Sequence, residues 1–377
     1  MGDAKESVVG NAEGTEVAVS KTIKREIVTV YDIYWLGIVI VTGGQMAGWN
    51  AALEQGYTQT VIGMLIMALG YFCLVFCIAE MTSILTFAGG SYGFTRAVLG
   101  PVTGFFVGVC ESLEYILYVA AAAVSFELLC RDLFKYYTGA VKPLYYLLLY
   151  AITVPVHLYG GRIFWVYSTV AGIVTLAVVI IYCLALTPHA DFGNKQYHTP
   201  NFTNGDNFMY HFSQLAWLFV GVEAMTLGNN NIKDAASKVP WAMVACMCTL
   251  FVTAVCIILL AGSTYPGIAQ LYMEDHEMDT GFHLSLHLTH QFTSILLIPG
   301  FVSAAYGFQF AYTKQINAMA CSGLLPKIFA STYGPNDVPV VACLAGSLVS
   351  LSLLLACYST VENFSNDVFH IVICGAC

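Results

Sequence analysis

Apolar runs, separated by short polar or glycine- and proline-containing breaks, fill the chain from about residue 31 onward. A helix needs about 20 residues to cross a bilayer, and most of the runs approach or exceed that length. The pattern predicts membrane spans at 31–53, 59–80, 101–130, 143–157, 163–187, 208–228, 242–262, 291–318 and 339–358. A tenth span is predicted to begin near residue 364 and to be still running at Cys377. We therefore expect an all-α, C-terminally truncated bundle of about 10 spans, the last incomplete.

The polar start of the chain, residues 1–28, carries both charge signs and predicts a disordered cytoplasmic tail, not a signal peptide. The remainder, 29–377, is predicted to be one transmembrane permease domain, with spans 1–5 at about 29–187 and spans 6–10 at about 208–377.

Lysine and arginine placement predicts the orientation, because these residues concentrate in cytoplasmic segments. A cytoplasmic N-terminus puts 10 of the 14 basic residues inside, namely Lys5, Lys21, Lys24, Arg25, Arg96, Arg162, Lys233, Lys238, Lys314 and Lys327. The predicted outer loop with Arg131, Lys135 and Lys142 runs against the rule. Glycosylation sequons at Asn201 and Asn363 fall in predicted outer segments. We expect a multi-pass protein of the plasma membrane.

Composition excludes most other classes of protein. Hydrophobic residues make up 58% of the chain and charged residues 10%, with a mean hydropathy of +0.72. A soluble domain has about 25% charged residues, so this chain could not cover a soluble surface of its size. The net charge of −9 also argues against a nucleic-acid partner. The lipid bilayer is the expected environment.

Cysteines and histidines do not form the pattern of a catalytic or metal centre. Most of the 13 cysteines lie inside apolar runs, where they act as small hydrophobes. His283, His287 and His290 are spaced to share one face of a helix. Two such histidines could bind a metal, but a wet helix face before the eighth span explains them more simply. We predict no catalytic residues, no metal and no organic cofactor.

Two predicted spans are interrupted in the middle by glycines. The first contains Thr42-Gly43-Gly44-Gln45, with Gly48 close behind, and the sixth contains Gly221, followed by Glu223. In the first span the glycines indicate either close helix packing or an unwound stretch whose free N–H groups face an anion. Matching breaks in two halves of a chain are typical of an inverted-repeat transporter with a binding site at the membrane midplane.

Three acidic residues fall at membrane depth: Glu111, Glu114 and Glu223. Glu111 and Glu114 are three residues apart, so they share a helix face. A carboxylate facing lipid is costly, so these side chains must face the bundle or a wet cavity. Each is a candidate proton carrier or a counter-charge for an amine. The alternative is a structural carboxylate that is hydrogen-bonded to a neighbouring helix.

Several phrases resemble the amino acid–polyamine–organocation permeases over roughly residues 30–377. They are AGGSYGFTRAVLGPVTGF at Ala88–Phe105, WLFVGVE at Trp217–Glu223 with IKDAASKVP at 232–240, and GFQFAYTKQINAMACSGLLPKIFA at Gly307–Ala330. GQMAGWN at Gly44–Asn50 and ESLEY at Glu111–Tyr115 look most similar to the ethanolamine-permease branch.

This resemblance implies a twelve-span permease with five-plus-five inverted repeats. It implies that Thr42–Met46 form an unwound first-span segment, that Trp217 is a gating aromatic and that Gly221 is the sixth-span break. The implied substrate-binding set is Thr42, Gly43, Gly44, Gln45, Met46, Trp217, Phe219 and Gly221, with Glu111, Glu114 and Glu223 as the coupling or charge set. Three features depart from the family: the loop 233–238 lacks a proline and one positive charge, the fifth span has no lysine, and the chain stops within span ten.

The resulting hypothesis is a secondary active transporter of an amino acid or ethanolamine, with proton coupling, or sodium coupling as the other possibility. A substrate carboxylate would meet the N–H groups of Gly43–Met46, and its ammonium would face backbone carbonyls or Glu114. The alternatives are a channel, a histidine-based membrane enzyme and a truncated, non-transporting remnant. The sequence leaves the oligomeric state open.

Overall fold

The computed structural model describes residues 28–85, 89–134, 141–198, 208–274 and 276–360. The first half of the chain forms α1 (Val30–Met46), a 3₁₀ helix (Asn50–Gln55), α2 (Tyr57–Ile84), α3 (Gly90–Leu99), α4 (Pro101–Phe134), α5 (Lys142–Tyr159) and α6 (Gly161–Leu186). The second half forms α7 (Phe208–Gln214), 3₁₀ helices (Leu215–Leu218 and Val222–Asn231), α8 (Ala235–Gly262), α9 (Ile268–Leu271), α10 (Asp279–Leu286), α11 (His290–Cys321) and α12 (Val340–Thr360). These described ranges contain no strand beyond one isolated bridge between Tyr333 and Val338.

The helices lie where the apolar runs predicted them. Five of them, α2, α4, α6, α8 and α11, are long and apolar enough to cross a membrane. The short run at 143–157 is also helical, and α5 continues through Pro155. The predicted tenth span and nearly all of the predicted tail lie outside the described residues.

Local sequence signals explain where the first span begins. Thr29 and Asp32 form a capping box, in which the Thr29 hydroxyl accepts from the Asp32 N–H at 3.2 Å and the Asp32 carboxylate accepts from the Thr29 N–H at 2.9 Å. This reciprocal pair satisfies two of the backbone donors that a helix start leaves open. Further along α1, residues 38–41 are fully buried, so the helix runs through the centre of the bundle.

The two halves repeat one architecture. Each begins with a broken span, continues with a 28-residue helix (α2 or α8) and then short helices, and reaches a third span of 34 or 32 residues (α4 or α11). The equivalent helices pack on each other, α2 against α8 and α4 against α11. The fold is therefore all-α with paired, repeated halves, as the matching breaks predicted.

Contacts between distant segments define the two ends of the bundle. At one end, Lys238 Nζ donates to the Val28 carbonyl at 2.9 Å and Asn336 donates to the Tyr159 carbonyl at 2.8 Å; we call this the Val28 end. At the opposite end, the Asn50 end, the Asn50 amide donates to the carbonyls of the α8–α11 connection. Of the nine described Lys and Arg residues, the helix alternation places six near the Val28 end, namely Arg96, Arg162, Lys233, Lys238, Lys314 and Lys327.

Candidate functional site

The first span breaks later than the sequence predicted. Helix α1 continues through Met46, and the break covers Ala47, which is extended, and Gly48, with φ of +89°. The prediction of an unwound segment at Thr42–Met46 is wrong, because these residues form the last turns of α1. Their N–H groups belong to the helical hydrogen-bond ladder and are not open to a substrate carboxylate. Gly48 is the glycine whose backbone needs the left-handed region.

The paired glycines of α1 instead permit close packing, which was the alternative explanation. A Cβ atom added to Gly43 would lie 2.5 Å from the Ala304 Cβ on α11, and one added to Gly44 would lie 2.1 Å from the Trp217 carbonyl oxygen. Small residues let backbones approach in this way. Gly44 therefore holds the first and sixth spans in direct contact.

The sixth span breaks at the predicted residue. Helix α7 passes into a 3₁₀ turn at Leu215–Leu218, and Gly221 then takes φ of +103° before the next 3₁₀ helix starts at Val222. A Cβ atom on Gly221 would also lie 2.5 Å from the Ile40 side chain. Both the backbone conformation and the packing therefore require glycine here.

Gln45 joins the two broken spans to α8. Its side-chain Nε2 donates to the carbonyls of Leu218 at 3.1 Å and Leu250 at 2.9 Å, and its Oε1 accepts from the Thr253 hydroxyl at 2.7 Å. The Leu218 carbonyl belongs to the irregular part of the sixth span. The amide of Gln45 thus stabilises the break and faces away from the cavity.

We expect Gln45→Leu to destabilise the protein by an amount near the upper end of the about 1–3 kcal/mol that an unsatisfied buried polar group costs. The substitution preserves side-chain volume but leaves the Leu218 carbonyl without its side-chain donor. The measurement is thermal unfolding of the detergent-purified protein. Gln59→Leu, at an exposed position of α2, is the matched control. Equal stability of the two variants would contradict this role for Gln45.

A central cavity lies where the broken spans cross α4 and α11. It is small in this state and is lined by Gly43, Gly44, Ala47, Tyr118, Ala121, Ala122, Ser125, Trp217, Phe301, Ala304 and Phe308. Tyr118 contacts two of the other three aromatic rings, with centroids 5.2 Å from Trp217 and 4.7 Å from Phe308. A mostly apolar pocket with a few polar groups is typical of a small-molecule site.

The predicted substrate set is only partly brought to this cavity. Gly43, Gly44 and Trp217 line it. The other five predicted members do not line it. Gln45 and Gly221 make the contacts described above, Thr42 donates to the Ile38 carbonyl, Met46 packs against Gly300, and Phe219 is fully buried beside Tyr71.

The sequence interpretation missed Tyr118, Phe301 and Phe308, which lie in apolar runs at helical spacing. The one signal for Tyr118 was its position four residues after Glu114, which places both on one face of α4.

Three carboxylates lie beside the cavity, where α4, α11 and the sixth span meet. Tyr118 donates its hydroxyl to Glu114 at 2.7 Å, so this acid is one hydrogen bond from the cavity wall. Glu111, one turn nearer the Val28 end, accepts from the Gln315 amide at 2.6 Å. Glu223 accepts from the Tyr115 hydroxyl at 3.3 Å. All three are partly buried, and they face the bundle, as the cost of exposing a charge to lipid predicted.

A fourth carboxylate, which the sequence interpretation did not single out, reaches the first-span break from the α8–α11 connection. Glu277 accepts the N–H of Gly48 at 2.5 Å. The connection is held down by Asn50, whose amide donates to the carbonyls of Leu271 at 3.2 Å and Glu274 at 2.9 Å. The sequence does not indicate this contact, because nothing local shows that one acid of this loop is buried.

The three histidines predicted to share a helix face do not do so. Helix α10 ends at Leu286, His287 takes φ of +53°, and His290 starts α11. The rings of His283 and His290 stack at 5.7 Å, and His290 contacts Asp279. Within the described segments, no three His, Cys, Asp or Glu side chains converge as metal ligands would.

A larger cavity opens at the Val28 end. It has about 950 Å³ of empty volume and lies between the α5–α6 turn, the second half of α11 and residues 335–339. His157, Phe164 and Phe310 are among its walls. At the Asn50 end, the α8–α11 connection instead covers the first-span break.

Solved transporters share this fold. A Na⁺-coupled sialic acid symporter in a substrate-bound outward-open state matches with a TM-score of 0.57 at 10% identity, covering 88% of this chain and 75% of the symporter. A nucleobase-cation-symport-1 family transporter in a closed conformation matches with a TM-score of 0.50 at 14% identity, covering 93% of this chain and 75% of that protein. At these identities the likeness is one of fold.

Sequence comparison gives the family. A methylthioribose transporter of Bacillus subtilis is 20% identical over 85% of this chain and 72% of its own length. The branched-chain amino acid permease BcaP of the same organism is 24% identical over 89% and 77%. Cationic amino acid transporter 1 of Arabidopsis thaliana is 23% identical over 63% and 42%. The profile of the amino acid permease family matches residues 35–376, nearly the whole transmembrane region. The chain is thus an integral membrane protein that belongs to the amino acid permease family.

Proposed function

We propose that this protein is a secondary active transporter that carries a small amine-bearing solute, an amino acid or ethanolamine, through the central cavity. The observation that carries the proposal is the position of the cavity, which lies where two broken spans meet and is joined to a membrane-embedded carboxylate by Tyr118. Transporters of this architecture bind their substrates at such a crossing.

The cavity suits an organic ammonium group. Tyr118, Trp217 and Phe308 present aromatic rings to it, and a cation over an aromatic face gains about 0.5–2 kcal/mol. Glu114 supplies the counter-charge through the Tyr118 hydroxyl. Apart from Phe301, the remaining lining consists of small residues that are mostly apolar, with Ser125 as a further hydroxyl.

Alternating access follows from the unequal ends of the bundle. The Asn50 end is covered by the α8–α11 connection, whereas the Val28 end holds the larger cavity. Rocking of one helix group against the other would close the Val28 end and open the Asn50 end. The larger cavity at the Val28 end supports release of the solute at that end.

The orientation is proposed from charge. The excess of described Lys and Arg residues near the Val28 end, six of nine, supports a cytoplasmic position for that end under the positive-inside rule. The N-terminus would then be cytoplasmic, and the plasma membrane is the proposed location.

Proton coupling is proposed through the carboxylates. Glu111, Glu114 and Glu223 lie between the cavity and the Val28 end, each hydrogen-bonded to a neutral tyrosine or amide group. An intramembrane acid of this kind is typical of a proton relay. Sodium is the alternative coupling ion.

Uptake into reconstituted vesicles tests the proposal. Labelled ethanolamine and a pool of labelled amino acids are offered with and without an inward pH gradient. We expect at least one solute to accumulate above equilibrium only when the gradient is present. Uptake that only equilibrates would indicate a channel or an uncoupled carrier, and no uptake of any solute would reject the proposal.

A further inference from the structure

Both broken spans use the protein's own carboxylates to bind a backbone N–H at the break. Gly48 donates to Glu277 at 2.5 Å, and Gly221 donates to Glu223 Oε2 at 3.1 Å. N–H groups at such breaks are the groups that hold an anionic part of a substrate in transporters of this architecture. Here these donors already have an anionic partner.

The fold builds Glu277 into its position. Its residue is only 3% exposed although it belongs to a loop between helices. Two independent contacts hold the loop just before it: the Asn50 amide donates to the Glu274 carbonyl at 2.9 Å, and His276 Nε2 lies 3.0 Å from Asp132 at the end of α4. The Glu277 carboxylate is therefore a buried part of the covered Asn50 end and not an exposed side chain.

No basic residue in the described lining of the cavity would offset the charge of a substrate carboxylate. None of the described residues that line it is a lysine or an arginine. Glu277 binds the peptide that follows Ala47, a lining residue, and Glu114 is one hydrogen bond behind Tyr118. A carboxylate in the cavity would thus approach like charges on two sides, which costs several kcal/mol.

We infer that the transported solute is a small organic ammonium ion without a carboxylate, and that Glu277 is the residue that excludes amino acids. This inference rests on the transport role proposed above and narrows it. The ammonium would be bound by the aromatic rings of Tyr118, Trp217 and Phe308 and by the charge of Glu114. Glu277 acts on selectivity by occupying the Gly48 N–H and by repelling anions.

Matched pairs of amine and amino acid test this inference directly. Ethanolamine and serine, isobutylamine and valine, and cadaverine and lysine differ within each pair only by the carboxylate. The binding measurement is ligand-dependent thermal stabilisation of the purified full chain. In every pair that binds, we expect the amine to reach half-saturation at a concentration about tenfold or more below that of its amino acid. Equal or tighter binding of the amino acids, or stabilisation by none of the six compounds, would overturn the inference.

The variant Glu277→Gln assigns the selectivity to its residue. It removes the charge and keeps the side-chain shape, so we expect the amine preference within a pair to fall about tenfold. Glu274→Gln makes the same chemical change three residues earlier in the same loop and should leave the preference unaltered. An unchanged ratio in Glu277→Gln would remove Glu277 from the explanation. Because each ratio is measured within one variant, lower expression does not distort it.

Binding and uptake together separate this inference from the proposed function. Binding of amines without accumulation in vesicles would reject active transport and retain the inference about ligand class. Accumulation of serine with no preference for ethanolamine would retain transport and reject the inference. Serine would accumulate in this way if its carboxylate displaced Glu277 from the Gly48 N–H.

Discussion

Gly44→Ala is expected to abolish uptake and to lower the free energy of unfolding by about 3 kcal/mol, the upper part of the range for an overpacked core. The added Cβ would lie 2.1 Å from the Trp217 carbonyl oxygen. A carbonyl oxygen of the backbone cannot rotate away as a side chain can, so the first and sixth spans would have to separate. That separation would open the wall of the central cavity, to which both residues belong.

The matched control for Gly44→Ala is Gly70→Ala on α2, where an added Cβ meets no atom within 4 Å. Alanine favours a helix over glycine by roughly 0.5–1 kcal/mol, so this variant should be as stable as the parent or slightly more stable. Thermal unfolding and vesicle uptake are measured for both variants. Normal uptake by Gly44→Ala would show that the contact with Trp217 is not needed for the site.

The glycines show where prediction from sequence succeeds and where it stops. An apolar run of sufficient length predicts a span, and a glycine followed by an acid correctly predicted the break at Gly221. The sequence does not distinguish a glycine needed for its backbone conformation, such as Gly48, from one needed for close approach, such as Gly44. That distinction depends on the neighbouring helix, and the predicted break was therefore placed several residues too early.

The site residues follow the same division. Glu111, Glu114 and Glu223 were predictable as residues that face the bundle, because a charge in a lipid-facing position is so costly. Tyr118 and Phe308 were not, since an aromatic residue in an apolar run looks the same whether it faces a cavity, another helix or lipid. Glu277 was also not predictable, because its burial depends on a contact with Gly48 across 229 residues of the chain.

The carboxylates divide into two groups by what they contact. Glu277 and Glu223 accept backbone N–H groups at the two breaks, so their charge stabilises the backbone there. Glu114 contacts the hydroxyl of Tyr118, which belongs to the cavity wall. Of the four acids, Glu114 is thus the one placed to respond both to the solute and to a proton. Glu111 lies one helical turn further from the cavity, toward the Val28 end.

Glu114→Gln is therefore expected to abolish gradient-driven accumulation while leaving exchange of solute across the membrane. Glutamine has nearly the same size as glutamate, and its carbonyl oxygen can still accept from the Tyr118 hydroxyl, so the cavity keeps its shape. It has no proton to release, so the pH gradient can no longer be linked to movement of the solute. Internal solute should rise only to the external concentration. Counterflow exchange should continue, at a higher solute concentration than in the parent because the ammonium loses the charge of Glu114.

Two further variants make the Glu114 result specific. Glu80→Gln removes an exposed acid at the end of α2 and should accumulate solute as the parent does. Tyr118→Phe keeps the carboxylate but removes its hydrogen bond to the cavity wall, so we expect weaker solute binding with coupling retained.

Full accumulation by Glu114→Gln would assign coupling to another group. Glu223 would then be the next acid to replace, because Tyr115 on α4 also donates to it. Loss of both accumulation and exchange in Glu114→Gln, even at high solute concentration, would instead show that the aromatic rings cannot hold the solute without the charge of Glu114, since a carrier that no longer binds its solute cannot exchange it.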